Sequence, residues 1–215
     1  MAKHPFTPDF QHLPDTLPLF PLPGAIVLPF TQLPLNIFEP RYLNMVIDAL
    51  GEARMIGMIQ PHPSAREALY QTGCAGRITM FRETEDGRLL ISLTGVCRFD
   101  IQEEIPTIRG YRRIIPAWGR FTRDYFENET QVDIRALIAA LEVFLQVNNL
   151  EADMNRLQAM PGPQLVNFLA VNLPFESADK QALVEATDIA ERAKILTTLT
   201  EIAAAAQQDP TPWHH

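Results

Sequence analysis

Lysine and serine are scarce in this chain, with three of each among 215 residues. The lysines, Lys3, Lys180 and Lys194, precede His4, Gln181 and Ile195, so the Lys-Ser/Thr pair of a phosphate-cradling loop is missing. Only two cysteines occur, Cys74 and Cys97, and no Cys-x-x-Cys. That excludes a disulfide framework and points to two buried thiols in a reducing, cytoplasmic setting. No apolar run approaches the about 18 residues of a membrane span. Behind Lys3 there is no apolar segment of a secretory signal. The histidines His4, His12 and His62 are scattered, and His214-His215 is a terminal pair, so neither a metal nor a cofactor is expected.

What is abundant is apolar surface broken by proline. Residues 17–42, LPLFPLPGAIVLPFTQLPLNIFEPRY, hold six prolines among Leu, Ile, Val and Phe. Interior prolines forbid one long helix, and the run is too apolar to stay disordered. It therefore reads as short buried or edge strands separated by Pro and Gly turns, ending at a helix that opens near Pro40. Leu43, Val46, Ile47 and Leu50 recur at helical spacing, and Gly51 stands where a left-handed C-cap is wanted. Phe38 is expected in the core. Residues 55–59 read as a buried strand and residues 60–71 as a loop. Asp86-Gly87 between residues 73–82 and 88–94 signals a hairpin with a two-residue turn. In that register Cys97 faces Gly76 and Cys74 faces Phe99, which makes the thiols near-diagonal neighbours. Strands over residues 96–101 and 111–116 follow.

From about Phe121 the texture changes to Ala, Leu, Glu and Gln with helical periodicity. Helices are expected over residues 130–147, 163–173, 178–185 and 189–205. A β-rich part followed by helices is an α+β arrangement, read as an arm over 1–16, a β-rich subdomain over 17–122, a helical subdomain over 123–206 and a tail over 207–215. Charge divides unevenly. Residues 126–215 hold 13 acidic against 5 basic side chains, which is the whole of the net −8. A polyanionic partner would be repelled there.

The ordered residues Pro34, Leu35, Ile37, Phe38, Glu39, Pro40, Arg41 and Tyr42 match the PL-IFEPRY pattern that follows an LPLFPLP-like strand in the N-terminal domain of Lon-type ATP-dependent proteases. Further along, residues 73–78 (GCAGRI), 86–90 (DGRLL), 95–99 (GVCRF), 180–185 (KQALVE) and 190–196 (AERAKIL) resemble the family's motifs in order. Ala117-Trp118 departs from it, standing where an acidic, valine-rich continuation would be expected. The resemblance covers about residues 17–205. It implies a PUA-like twisted β pseudo-barrel with one helix across it, followed by an all-helical subdomain. It also implies a non-catalytic, bacterial, cytoplasmic domain that recognises unfolded or degron-bearing polypeptides. The ATPase and Ser-Lys peptidase of a full Lon protease are expected to be missing, because the chain ends where the ATPase would begin. The expected route to a polypeptide is an apolar groove or strand addition at a sheet edge near Phe30, Leu33, Leu35, Arg41 and Tyr42. Arg41 has an alternative structural role, paired with Glu39.

Competing readings come from three clusters. Ser177-x-x-Lys180 has the spacing of a nucleophile and base on adjacent helix turns, but Ser177 is better read as the cap of the helix that follows. A Cys97–His62 pair fails because Cys97 falls inside a strand. Arg109, Arg112, Arg113, Arg120 and Arg123, interleaved with Tyr111, Trp118, Phe121 and Tyr125, have the composition of an RNA-binding surface. Solvated arginines balanced by Asp124, Glu127 and Glu129 are the preferred reading. A further alternative is an adaptor or regulator that docks on a separate ATPase or protease through the acidic helices. Oligomeric state is not legible.

Overall fold

The computed structural model describes residues 6–208, without the side chains of residues 127–129 and 207–208. His4, the terminal His214-His215 and the expected tail from residue 209 onward lie outside the described residues. The chain divides into two compact units, Met1–Glu127 and Asn128–His215.

Among the described residues, the first unit contains six strands and one long helix. The strands are β1 (Leu17–Pro21), β2 (Gln32–Ile37), β3 (Met55–Ile59), β4 (Thr72–Glu83), β5 (Leu89–Ile105) and β6 (Arg112–Ala117). Helix α1 (Pro40–Gly51) opens with proline in its first turn, where a missing N–H costs nothing. The sheet order is β2-β5-β4-β3-β1-β6, and β6 also pairs with β5, so five strands close on themselves. The length of β5 makes this closure possible. Its first part pairs with β2 (Leu33↔Leu93, Leu35↔Ile91) and its last part with β6 (Asp100↔Ala117, Ile105↔Arg113). The strands expected over 88–94 and 96–101 are therefore one strand running through Gly95. Gly95 is required there, because a Cβ would lie 1.9 Å from the Leu28 carbonyl oxygen.

Two cores flank the sheet. One holds Leu17, Leu19, Met55, Cys97, Phe99, Ile114 and Phe121. The other lies under α1 and holds Tyr42, Met45, Val46 and Ala49 with Cys74, Ile78, Ile91 and Leu93. The hairpin turn has three residues rather than two. Thr84 N–H bonds Arg88 O, Gly87 N–H bonds Thr84 O, and Gly87 takes the left-handed conformation at φ 80. Together with shifts at Ala75/Gly76 and Ile78/Met80, this pairs Cys97 with Ala75 and Cys74 with Arg98. A one-residue slip turns a side chain to the other face. The thiols thus sit in different cores, not as diagonal neighbours. At the end of α1, Gly51 is the last helical residue, and Arg54, at φ 57, makes the left-handed turn instead.

Two short 3-10 turns over Gly119–Glu129, broken at Phe121, follow β6. The second unit contains α2 (Arg135–Val147), α3 (Met154–Gln158), α4 (Gly162–Asn172), α5 (Ser177–Glu185) and α6 (Ile189–Gln208). Helix α2 begins five residues later than the periodicity predicts, and α3 was not anticipated. Glu176 occupies the N-cap position of α5 and Ser177 is its first helical residue, so Ser177 is not the cap. Buried Arg192 ties three helices together, donating from Nε to Leu183 O (2.9 Å) and from Nη1 to Asn167 Oδ1 (2.7 Å). Among the described residues no helix is long and apolar enough to cross a membrane.

Candidate functional site

The face of α1 that enters the core is not the face its leucines mark. Tyr42, Met45, Val46 and Ala49 are buried, whereas Leu43 and Leu50 are half-buried and Ile47 is 56% exposed. Residues 43, 47 and 50 are spaced i, i+4, i+7 and share one flank. The other flank is polar and braced. Asp48 receives Arg109 Nη2 at 2.9 Å and the Tyr111 hydroxyl at 2.8 Å, and Asn44 Nδ2 donates to Arg109 O. Burial, then the bond to Asp48, raise the Tyr111 hydroxyl pKa, so it remains a donor.

Leu33 and Leu35 of β2 pack against the same core as Leu43 and Leu50. Residues directly opposite across a sheet share a face. One row runs Leu33–Leu93–Ile78 and the next Leu35–Ile91–Phe81. Burial declines along it, from Ile78 and Leu93 inside to Phe81 at 39% exposed. Leu33 and Leu35 on the sheet and Leu43 and Leu50 on the helix are thus partly buried at the rim of one core, and Phe81, in the Leu35–Ile91 row, and Ile47, between the two helix leucines, are exposed. Strand β2 is an edge. Thr31 O accepts from Gly95 N–H, so alternation turns the peptide groups of Leu33, Leu35 and Ile37 toward β5 and those of Gln32, Pro34 and Asn36 toward the open edge. Pro34 removes a donor from that edge and limits pairing with another strand.

The expected site residues distribute unevenly on this surface. Leu33 and Leu35 belong to the apolar rim. Phe30 is 37% exposed and adopts φ 65, a conformation costing a bulky residue about 1–2 kcal/mol. The turn is held by Phe30 N–H to Gly95 O and by Leu28 N–H to Thr31 Oγ1, both 3.0 Å. Tyr42 is a core residue at 8% exposure, its hydroxyl pKa raised by burial. Arg41 lies over the Tyr42 ring (4.5 Å) and pairs with Glu39 at 2.9 Å, the structural alternative. Phe38, expected in the core, is 61% exposed, because Ile37 and Tyr42 on either side take the buried positions. The sequence reading missed Ile47 and Phe81. The shared spacing of Leu43, Ile47 and Leu50 was visible, but which of two apolar stripes faces inward was not.

The competing clusters have structural explanations. Four of the five arginines are ion-paired: Arg109 with Asp48, Arg112 with Glu104, Arg113 with Glu52 and Arg120 with Asp100. Asp124 pairs with Arg98 rather than with that stretch; the side chains of Glu127 and Glu129 lie outside those described. Lys180 is buried with Nζ donating to Val171 O at 3.3 Å, and burial lowers its pKa. His62 Nδ1 bonds Ser64 Oγ at 2.7 Å, while Cys97 Sγ donates to Arg98 O at 3.2 Å. No group of three potential metal ligands occurs among the described residues.

Against known families, residues 16–201 match the ATP-dependent protease La (LON) substrate-binding domain. This chain belongs to that family. Among its relatives are the Lon protease of Heliobacterium modesticaldum, 26% identical over 194 residues, and Lon protease 2 of Sorangium cellulosum, 28% identical over 215 residues. These alignments cover 85% and 92% of the chain but only 23% and 25% of the relatives. The chain thus spans about a quarter of the length of the curated relatives it matches, and the matched LON domain is a non-catalytic one. Two solved structures share the fold. A Lon N-terminal domain protein from Xanthomonas campestris superposes with a TM-score of 0.64 at 23% identity, covering 85% of this chain and 97% of that one. The N-terminal domain of the Mycobacterium avium complex Lon protease gives 0.62 at 16% identity, covering 86% and 97%. The LON-domain fold, α+β with a helical C-terminal part, is therefore that expected from the sequence.

Proposed function

We propose that this LON domain binds unfolded or degron-bearing polypeptides in the cytoplasm without chemistry of its own, through the apolar rim of Leu33, Leu35, Phe81, Leu43, Ile47 and Leu50. The observation that supports this reading is the second apolar stripe on α1. Ile47 stands 56% exposed between two half-buried leucines that border the same core as β2. A helix needs only one apolar stripe to dock on a sheet, and the second one supports contact with another chain. Pro34 at the edge of β2 favours side-chain capture over strand addition. Phe30 and Arg41 border this surface in sequence, and Tyr42 supports it from within.

The experiment is fluorescence anisotropy of a labelled, permanently unfolded protein titrated with this chain, beside the folded counterpart of the same protein. Binding of the unfolded form alone at about micromolar Kd, near −8 kcal/mol, is expected. Ile47→Asp is expected to weaken it at least about tenfold by placing a charge in the apolar contact. Because Ile47 is largely exposed, its thermal unfolding should change little. A folded Ile47→Asp protein with unchanged affinity would refute this surface.

A further inference from the structure

We propose that the aromatic surface formed by Trp118, Phe121 and Tyr125 is a second peptide site, one that takes extended, proline-containing apolar segments and is occupied here by the chain's own residues 6–14. The contacts read backbone carbonyls together with one aromatic side chain. The Tyr125 hydroxyl donates to Pro8 O at 3.1 Å, and Trp118 Nε1 donates to Pro14 O at 3.2 Å. Between those bonds Phe10 stands edge-on to Tyr125, with ring centres 5.7 Å apart at 89°, and Leu13 is buried in the core that contains Phe99 and Phe121. Phe99 in turn holds Trp118 edge-on at 5.9 Å.

The arm also has the backbone such a site selects. On either side of the single 3-10 turn Phe10–His12, Asp9 (φ −67, ψ 156) and Leu13 (φ −63, ψ 145) adopt polyproline-II angles. Aromatic grooves recognise this conformation by donating to its solvated carbonyls, and little ordering entropy is lost on binding. Burial pushes the Tyr125 hydroxyl pKa up, so it stays a donor through the neutral range. Residues 6–12 of the segment are seated lightly. They belong to no strand, and none of them is fully buried. Segments with few buried contacts open at small cost. The arm is therefore a ligand in cis, and displacing it opens the site to a segment of the same chemistry from another polypeptide.

The test titrates a fluorescein-labelled peptide of residues 3–12 into the full chain and into a variant lacking residues 1–12, which keeps Leu13 in the core and Pro14 on Trp118 and vacates only the Tyr125 half of the site. A tethered arm competes at an effective concentration of about millimolar. The truncated chain is therefore expected to bind the peptide about tenfold or more tightly than the full chain does. Tyr125→Phe in the truncated chain should reverse much of that gain, as should Phe10→Asp in the peptide. A folded truncated chain that ignores the peptide, or binds the Phe10→Asp peptide equally, would overturn the proposal. If truncation prevents folding, Phe10→Ala in the full chain loosens only the arm, and unchanged peptide affinity there overturns it as well. Ile47→Asp is expected to leave this binding intact, which separates it from capture at the α1 rim.

Discussion

At the scale of single residues, the least exposed polar groups organise the chain. Arg98 and Asp124 are almost wholly buried, 2.7 Å apart. Asp124 also accepts the backbone N–H of Arg98 at 2.8 Å, and the Arg98 guanidinium lies over the Phe121 ring at 4.8 Å. One carboxylate thus satisfies both a buried charge and a buried peptide donor, fixing the 3-10 segment against β5. Asp124→Ala is expected to cost about 3–5 kcal/mol, because it strands the guanidinium. The check is the midpoint of urea unfolding. Arg98→Met combined with Asp124→Leu should recover part of the loss but not all, since the Arg98 N–H then lacks its acceptor. Nothing in composition distinguishes Arg98 from the exposed arginines. Its burial follows from the 3-10 segment, whose Asp124 and Phe121 close against it.

At the scale of elements, helix ends and turns show how local chemistry sets what packing then uses. Ahead of α2, Asp133 Oδ1 accepts the Arg135 N–H at 3.0 Å, and its carboxylate receives the Arg135 guanidinium at 2.6 Å. These bonds hold the Asp133 pKa down at about 2, against an ordinary 3.8. Because the folded value is the lower one, the stabilisation is fully present above pH 3.8 and is lost as pH falls through about 2. A carboxyl NMR titration should place the Asp133 midpoint near 2, and Arg135→Gln should move it back toward 3.8. The hairpin teaches a different lesson. Asp86-Gly87 correctly announced a turn, but the left-handed Gly87 closes a three-residue loop. That single residue of register decides which core each cysteine enters.

At the scale of the whole molecule, charge separates what this chain attracts from what it repels. The acidic excess falls within residues 126–215, and four of the five clustered arginines are already neutralised by carboxylates. Binding to single-stranded RNA at about 0.15 M salt is accordingly expected to be undetectable by filter retention, because too few cations remain to release counterions. Tight retention with a steep salt dependence would contradict that. Apolar contact at the α1 rim and carbonyl recognition beside Tyr125 are both compatible with this charge distribution, since neither needs a charged ligand.

The proline-broken run of residues 17–42, the helix opening at Pro40 and the change to helical texture near Phe121 were legible in the amino acids themselves. Each rests on local chemistry: proline's missing donor, and periodicities of two and 3.6. The family was legible for the same reason, as an ordered set of short motifs. The direction each apolar stripe faces was not. The stripe read from the sequence, Leu43, Val46, Ile47 and Leu50, and the series Tyr42, Met45, Val46 and Ala49 share Val46 and are equally good candidates for a buried face. Only the sheet beneath α1, with the Asp48–Arg109–Tyr111 brace on one flank, chose the second. Burial depends on what arrives from distant sequence. Thus the separation of the thiols, the Arg98–Asp124 pair and the seat of residues 6–14 against Trp118 and Tyr125 were decided by tertiary structure alone, whereas the edge position of β2 was already marked by its proline.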